Sequence, residues 1–314
     1  MSEIVESNAI LKRMIENIEK VMVGKRSPIE LMCIALICDG HVLIEDVPGT
    51  GKTTLALALS KTIGGTLSRI SCTPDVMPSD ITGFSMFNPK SQAFEYKKGA
   101  IMANVFLADE INRTPPKTQS GLLEAMEEKA VTVDGVKHHL PDTFLVIATQ
   151  NPIEYLGTYP LPEAQLDRFL LKVQIGYPSF EEEKKIIERF NKDNPLDHLN
   201  SVISLDELED LKKAVQDIHI SDDVMNYIVD LVSETRTHND IILGLSPRAT
   251  LWMARVAKAW AFYTGRHYVT PDDVKKVFIP VCAHRVVPKT EAKYENVTSE
   301  DILKAILESV EVSG

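Results

Sequence analysis

The chain has 314 residues, with 34 Lys and Arg against 45 Asp and Glu, for a net charge of −11. That length and its 44% hydrophobic residues can fill two cores of ordinary size, whereas the acidic balance argues against a surface built throughout to neutralise nucleic-acid phosphates. The apolar runs, such as 29–38, are too short to cross a bilayer, and the first ten residues lack the basic and apolar segments of a secretion signal, so the expected location is cytoplasmic.

Up to Pro178, short apolar runs alternate with helical segments, the pattern of a parallel sheet covered by helices. Candidate strands are 41–45, 66–71, 105–108, 144–149 and 169–175, apolar at successive positions because both faces of such a sheet are buried. The four cysteines, Cys33, Cys38, Cys72 and Cys282, form no C-x-x-C pair and read as core thiols.

Between the first strand and its helix, residues 46–53 approach the phosphate-loop pattern G-x-x-x-x-G-K-[ST] but begin with Asp46 in place of glycine. The chemistry needs a concave run of backbone N–H groups leading into a helix N-terminus, where aligned peptide dipoles favour an anion. Gly49 and Gly51 permit positive φ and close approach, Pro48 stiffens the turn, and Lys52, Thr53 and Thr54 open an Ala- and Leu-rich helix ending at Gly64-Gly65. Amides from Gly49 through Thr50 to Thr53 are therefore expected to hold a triphosphate, with the Asp46 side chain turned away from it. At the end of the strand 105–108, Asp109 is the expected carboxylate on Mg2+, together with the Thr53 hydroxyl, and Glu110 the group that polarises the attacking water.

Past residue 178 the apolar period becomes 3.6 and helix start signals recur. Ser179 with Glu182 and Ser204 with Glu207 fit capping boxes, and Ser246 with Pro247 fits an N-cap followed by a first helical proline. Val274, Val277, Phe278, Val281 and Cys282 mark one buried face. The division expected is an α/β nucleotide-binding core over 1–178 and an all-helical lid over 179–314.

The stretches EDVPGTGKTTLA, MPSDITGF, VFLADEINRTPPKTQSGLLEAMEEKAVTV, FLVIATQNP, PEAQLDRFLL and GLSPRATLWMARVAKAW, in that order, resemble the MoxR family of AAA+ ATPases, over most of the chain. The resemblance implies an AAA+ P-loop core plus lid, ATP and Mg2+ as ligands, ADP as product, and assembly into a hexameric ring. It further implies that Asn151 orients the attacking water, an Asx-turn before Pro152 being the alternative. Arg168 would be the finger that reaches a neighbouring subunit's γ-phosphate, with an ion pair to Asp167 or Glu163 as the duller reading. Arg248 would contact phosphate from the lid of the same subunit; a cation in the first turn of a helix needs an anion nearby, which an ordinary acidic neighbour would also supply. Val23 and Gly24 match the segment packed on adenine, plain core packing being the alternative. Two insertions are expected: 74–100 within the second helix, and a hairpin around Asp134-Gly135. His138 and His139 lack supporting ligands and read as strand residues on opposite faces; Lys97, Lys98 and Arg113 touch either a partner or water. Members of the family are thought to remodel or mature client proteins, often beside a protein with a von Willebrand A domain. A nucleic-acid motor of the same wider clade is the alternative, which the acidity disfavours, and a nucleotide switch is a third reading, opposed by Glu110.

Overall fold

A computed structural model describes residues 2–152, 157–191 and 193–312. Five strands form one parallel sheet: β1 (Val42–Glu45), β2 (Leu67–Ser71), β3 (Val105–Asp109), β4 (Leu145–Gln150) and β5 (Leu171–Val173), in the order β2-β3-β4-β1-β5. The expected strands are present with ends shifted by one or two residues, β5 being trimmed to its central three.

Period-two alternation splits each central strand between two cores. Val42, Ile44, Val105, Leu107, Leu145 and Ile147 face one side, where they meet the helices Ser2–Glu19, Arg26–Ile37 and Lys52–Thr62. Leu43, Phe106, Ala108, Val146 and Ala148 face the other and pack on Leu122, Leu123 and Met126 of the helix Pro116–Glu128. The first core runs without interruption into the C-terminal helices through Met253, Val256, Phe262 and Phe278. All four cysteines are buried free thiols, and burial pushes those of Cys38 and Cys282 up to about 12.

The caps read from sequence form: Ser179, Ser204 and Ser246 accept the amides of Glu182, Glu207 and Ala249. The region past 178 is not wholly helical, however. Ile241–Leu243 pairs antiparallel with Val287–Pro288, a two-stranded ribbon in which both strands are edges and Pro288 is tolerated. The insertion at 74–100 contains the short helix Pro78–Thr82 followed by a hairpin, Gly83–Asn88 with Ala93–Lys98. The second hairpin, Ala130–Val133 with Val136–His139, turns at Asp134 (φ 50°) and Gly135 (φ 79°). The two hairpins touch where His138 stacks on Tyr96, ring centroids 3.8 Å apart. No described helix is long and apolar enough to cross a membrane.

Candidate active site

Parallel strands deliver their C-terminal ends to one edge of the sheet, and the nucleotide-type residues gather there. β1 exits at Asp46, the chain turns through Gly49 (φ 85°) and Gly51 (φ 91°), and Gly51 caps the helix Lys52–Thr62 with a left-handed backbone. No side chain caps that helix, so its first-turn amides point into the turn, and a Cβ placed on Gly49 would meet nothing within 4 Å. Such a cradle of accessible N–H groups suits an anion. Lys52 Nζ donates to the carbonyls of Asp46 (2.8 Å) and Val47 (3.1 Å), and Thr50 Oγ1 donates to Val47 O (3.3 Å), which brings the ends of the loop together.

The Asp46 carboxylate is turned away from the loop's inner side, as expected. It accepts the amides of Val47 (2.9 Å), Ile175 (2.8 Å) and Gly176 (2.7 Å), tying the exit of β1 to the exit of β5.

Two strands over, Asp109 ends β3. Its Oδ1 accepts from Thr149 Oγ1 at 2.8 Å and its Oδ2 from Arg69 Nη2 at 2.6 Å. The same Thr149 oxygen accepts the Glu110 amide at 2.8 Å, holding Glu110 at φ 60°, an uncommon conformation for a side chain of this size. Glu110 Oε2 takes Arg113 Nη1 at 2.8 Å, so Arg113 has a partner within the site. Asn151, 6% exposed, follows β4 directly. No local pattern marks Arg69 and Thr149: each lies on a strand whose neighbour in space is distant in sequence. Asp109 keeps lone pairs beyond those that Arg69 and Thr149 use, and a carboxylate oxygen of this kind suits Mg2+, as does a hydroxyl such as that of Thr53 at the helix start.

On the other side of the loop a cleft is lined by Met22, Val23, Thr50, Gly51 and Thr54, and by Ile186 and Phe190 from the helix Phe180–Phe190. Gly24, at φ 70°, lies beside it, and a Cβ there would fall 1.7 Å from Glu182 Oε1. The Ser179 amide holds that Glu182 carboxyl below the usual carboxylate range. Ile186 and Phe190 had an available signal, apolar residues on a helix with no buried position.

Arg168 and Arg248 lie elsewhere. Arg168 precedes β5 and so sits at the N-terminal edge of the sheet, where its Nη2 faces Glu127 Oε2 at 3.3 Å; the partner is neither Asp167 nor Glu163. Arg248 Nη2 contacts Glu127 Oε1 at 2.5 Å. Both arginines share a pocket with Asp39 and His41, which precede β1, whereas the phosphate-type loop follows β1. From Asp39 to Asp46 an extended chain covers roughly 20 Å at about 3.3 Å per residue. The structure thus does not bring Arg248 to the loop of its own subunit: the helix Pro247–Tyr263 packs on the first core, and its N-terminus docks at Asp167, with Ser246 Oγ donating to the carboxylate oxygens at 3.0 and 3.1 Å.

His41 fixes this second pocket from beneath. It is buried, its Nδ1 accepts the Val146 amide at 3.0 Å and its Nε2 donates to Met126 O at 3.3 Å; burial lowers its pKa to about 4, so the ring is neutral near pH 7.

Residues 41–171 match the profile of the ATPase family associated with various cellular activities (AAA), and residues 233–306 that of the AAA lid domain. The chain is 49% identical over 303 residues to the uncharacterized protein YeaC of Bacillus subtilis, covering 96% of this chain and 95% of that one. It is 40% identical over 309 residues to Chaperone MoxR1 of Mycobacterium tuberculosis, covering 96% and 81%. A solved structure of a candidate ATPase from Cytophaga hutchinsonii superposes with a TM-score of 0.93 at 37% identity, over 100% of this chain and 98% of that one.

Proposed function

The chain belongs to the MoxR family of AAA ATPases, and from that premise we propose that it hydrolyses ATP at sites shared between adjacent copies in a ring, and uses the turnover to remodel client proteins. The observation that carries this reading is the separation of the cradle and the arginine pair onto opposite edges of one sheet. Guanidinium groups that far from their own loop serve a phosphate held by another molecule, and a head-to-tail ring brings one edge of each subunit to the other edge of the next.

In each site the amides of Gly49 to Thr53 and the Lys52 ammonium bind and orient the phosphates, and Thr54 follows in the same helical turn. Val23 and Gly24, with Ile186 and Phe190, enclose the base. Bound Mg2+ would be held by Thr53 and Asp109 and would neutralise charge on the β- and γ-phosphates. Glu110, set by Thr149 and steered by Arg113, accepts the proton of the attacking water as its oxygen adds to the γ-phosphorus and ADP leaves. Asn151 both donates and accepts, which suits a group that orients this water. From the neighbouring subunit Arg168 and Arg248 stabilise the charge that develops on the transferred phosphoryl group.

The client-directed part of the reading rests on the relative named Chaperone MoxR1 and on the exposed side chains of the first hairpin, among them Phe84, Phe87 and Phe94. A protein carrying a von Willebrand A domain is the partner this reading points to, and a hexamer the assembly. The test is a pair of variants. Arg168→Ala should retain ATP while turnover drops by roughly a thousandfold. Mixed with Lys52→Ala, which cannot hold ATP productively but brings an intact Arg168, it should regain partial activity. Full turnover by Arg168→Ala alone would defeat the shared-site reading.

A further inference from the structure

We propose that Glu127 is a positioning residue for hydrolysis: its single carboxylate holds the core arginine Arg168 and the lid arginine Arg248 side by side, so that both reach a neighbour's phosphate together. This rests on the reading above, in which those two arginines act on another subunit's nucleotide.

The carboxylate sits between the two cations. One oxygen, Oε2, faces Arg168 and the other, Oε1, faces Arg248, each through an Nη2 atom. A guanidinium carries five N–H donors in a planar fork, so one nitrogen spent on Glu127 leaves the remaining donors for phosphate oxygens. Two such cations across one carboxylate would otherwise repel each other. Arg248 is additionally placed in the first turn of its helix, where the dipole disfavours a positive charge. Removing the negative charge between them therefore leaves the two guanidinium groups to repel each other and swing apart, although Asp167 still joins the helix N-terminus to the Arg168 turn.

The root of Glu127 is fixed well enough to set a geometry. It lies in the last turn of the helix Pro116–Glu128, whose end is held by His41 through Met126 O, and by Lys129, which leaves the helix at φ 47° and pairs with Asp39 at 3.6 Å. Glu127 thereby joins the helix that follows β3 to the lid helix Pro247–Tyr263, and it links the two guanidinium groups directly, beside the contact that Asp167 makes between Ser246 and the Arg168 turn.

The test uses full-length protein. Glu127→Gln keeps the size and removes the charge; it should lower kcat by roughly tenfold or more while leaving ATP affinity, assembly and melting temperature near those of the unsubstituted protein. Glu127→Asp should recover part of the loss. In an Arg248→Ala background, Glu127→Gln should cost less than about twofold more, because the pair it organises is already gone. A Glu127→Gln rate equal to or above that of the unsubstituted protein, or losses that multiply in the double variant, would overturn the proposal. If Arg168→Ala is inactive and Glu127→Gln is not, this inference alone falls; if Arg168→Ala turns over ATP at full rate, the shared-site reading falls first.

Discussion

Asp46 departs from the glycine of the general phosphate-loop pattern, and its environment explains why the departure is tolerated. The backbone at this position has no positive φ, so glycine's conformational freedom is not needed. What the position requires is an acceptor: Asp46 is 7% exposed and its carboxylate satisfies three amides, two of them beyond β5. The residue type was legible as an anomaly, but its purpose was not, because Ile175 and Gly176 lie 129 and 130 residues away. Asp46→Ala leaves those amides without a partner and should lower the unfolding free energy by about 2–4 kcal/mol, read by urea denaturation. ATP affinity of the folded protein should change by less than about threefold, since the cradle is made of backbone from Gly49 onward. Unchanged stability with a large loss of affinity would instead put the carboxylate on the ligand.

At the scale of elements, helix starts were the most readable feature, because a cap needs only partners three residues apart. Ser246 caps the helix Pro247–Tyr263 as its sequence implies. Where that helix docks depends on contacts that no local pattern carries. Asp167 accepts from Ser246 Oγ and from Arg285 Nε at 2.9 Å, across 118 residues. Arg285 is buried, and burial lowers its pKa although Asp167 opposes the shift; its other donors go to the carbonyls of Asp167, Phe169, Leu170 and Val281. Asp167 thus secures the lid helix to the turn that presents Arg168. Asp167→Ala strands a buried guanidinium and should destabilise the protein by about 3–5 kcal/mol, with Asp167→Asn milder because it retains an acceptor. Ser246→Ala, which loses the cap but leaves the ion pair, should cost about 1 kcal/mol. Equal effects of Asp167→Ala and Ser246→Ala in thermal melts would mean that Arg285 does not depend on Asp167.

For the whole molecule, what could be read from the chain were the features written in contiguous residues: the five apolar strands, the loop, the acidic pair after β3, and the hairpin turning at Asp134-Gly135. The first hairpin escaped because its strands expose side chains on both faces and lack an alternating pattern. The placement of Arg248 escaped because it follows from a core shared between sheet and lid, assembled from residues as far apart as Leu11 and Phe278. That placement has a consequence for solution behaviour. The loop, Asp109, Glu110 and Asn151 occupy the edge where strands end, and Arg168, Arg248 and Glu127 the edge where they begin. On the shared-site reading proposed above, a subunit carries half of two different sites and no complete one. Specific ATPase activity should accordingly rise with protein concentration and track the assembled fraction measured by sedimentation, falling on dilution towards the Arg168→Ala level, a drop of roughly a thousandfold. Nucleotide binding, which uses the strand-end edge of one copy, should persist at dilutions where turnover has gone. A specific activity that stays constant while the assembly comes apart would mean that one copy completes the chemistry with groups other than these arginines.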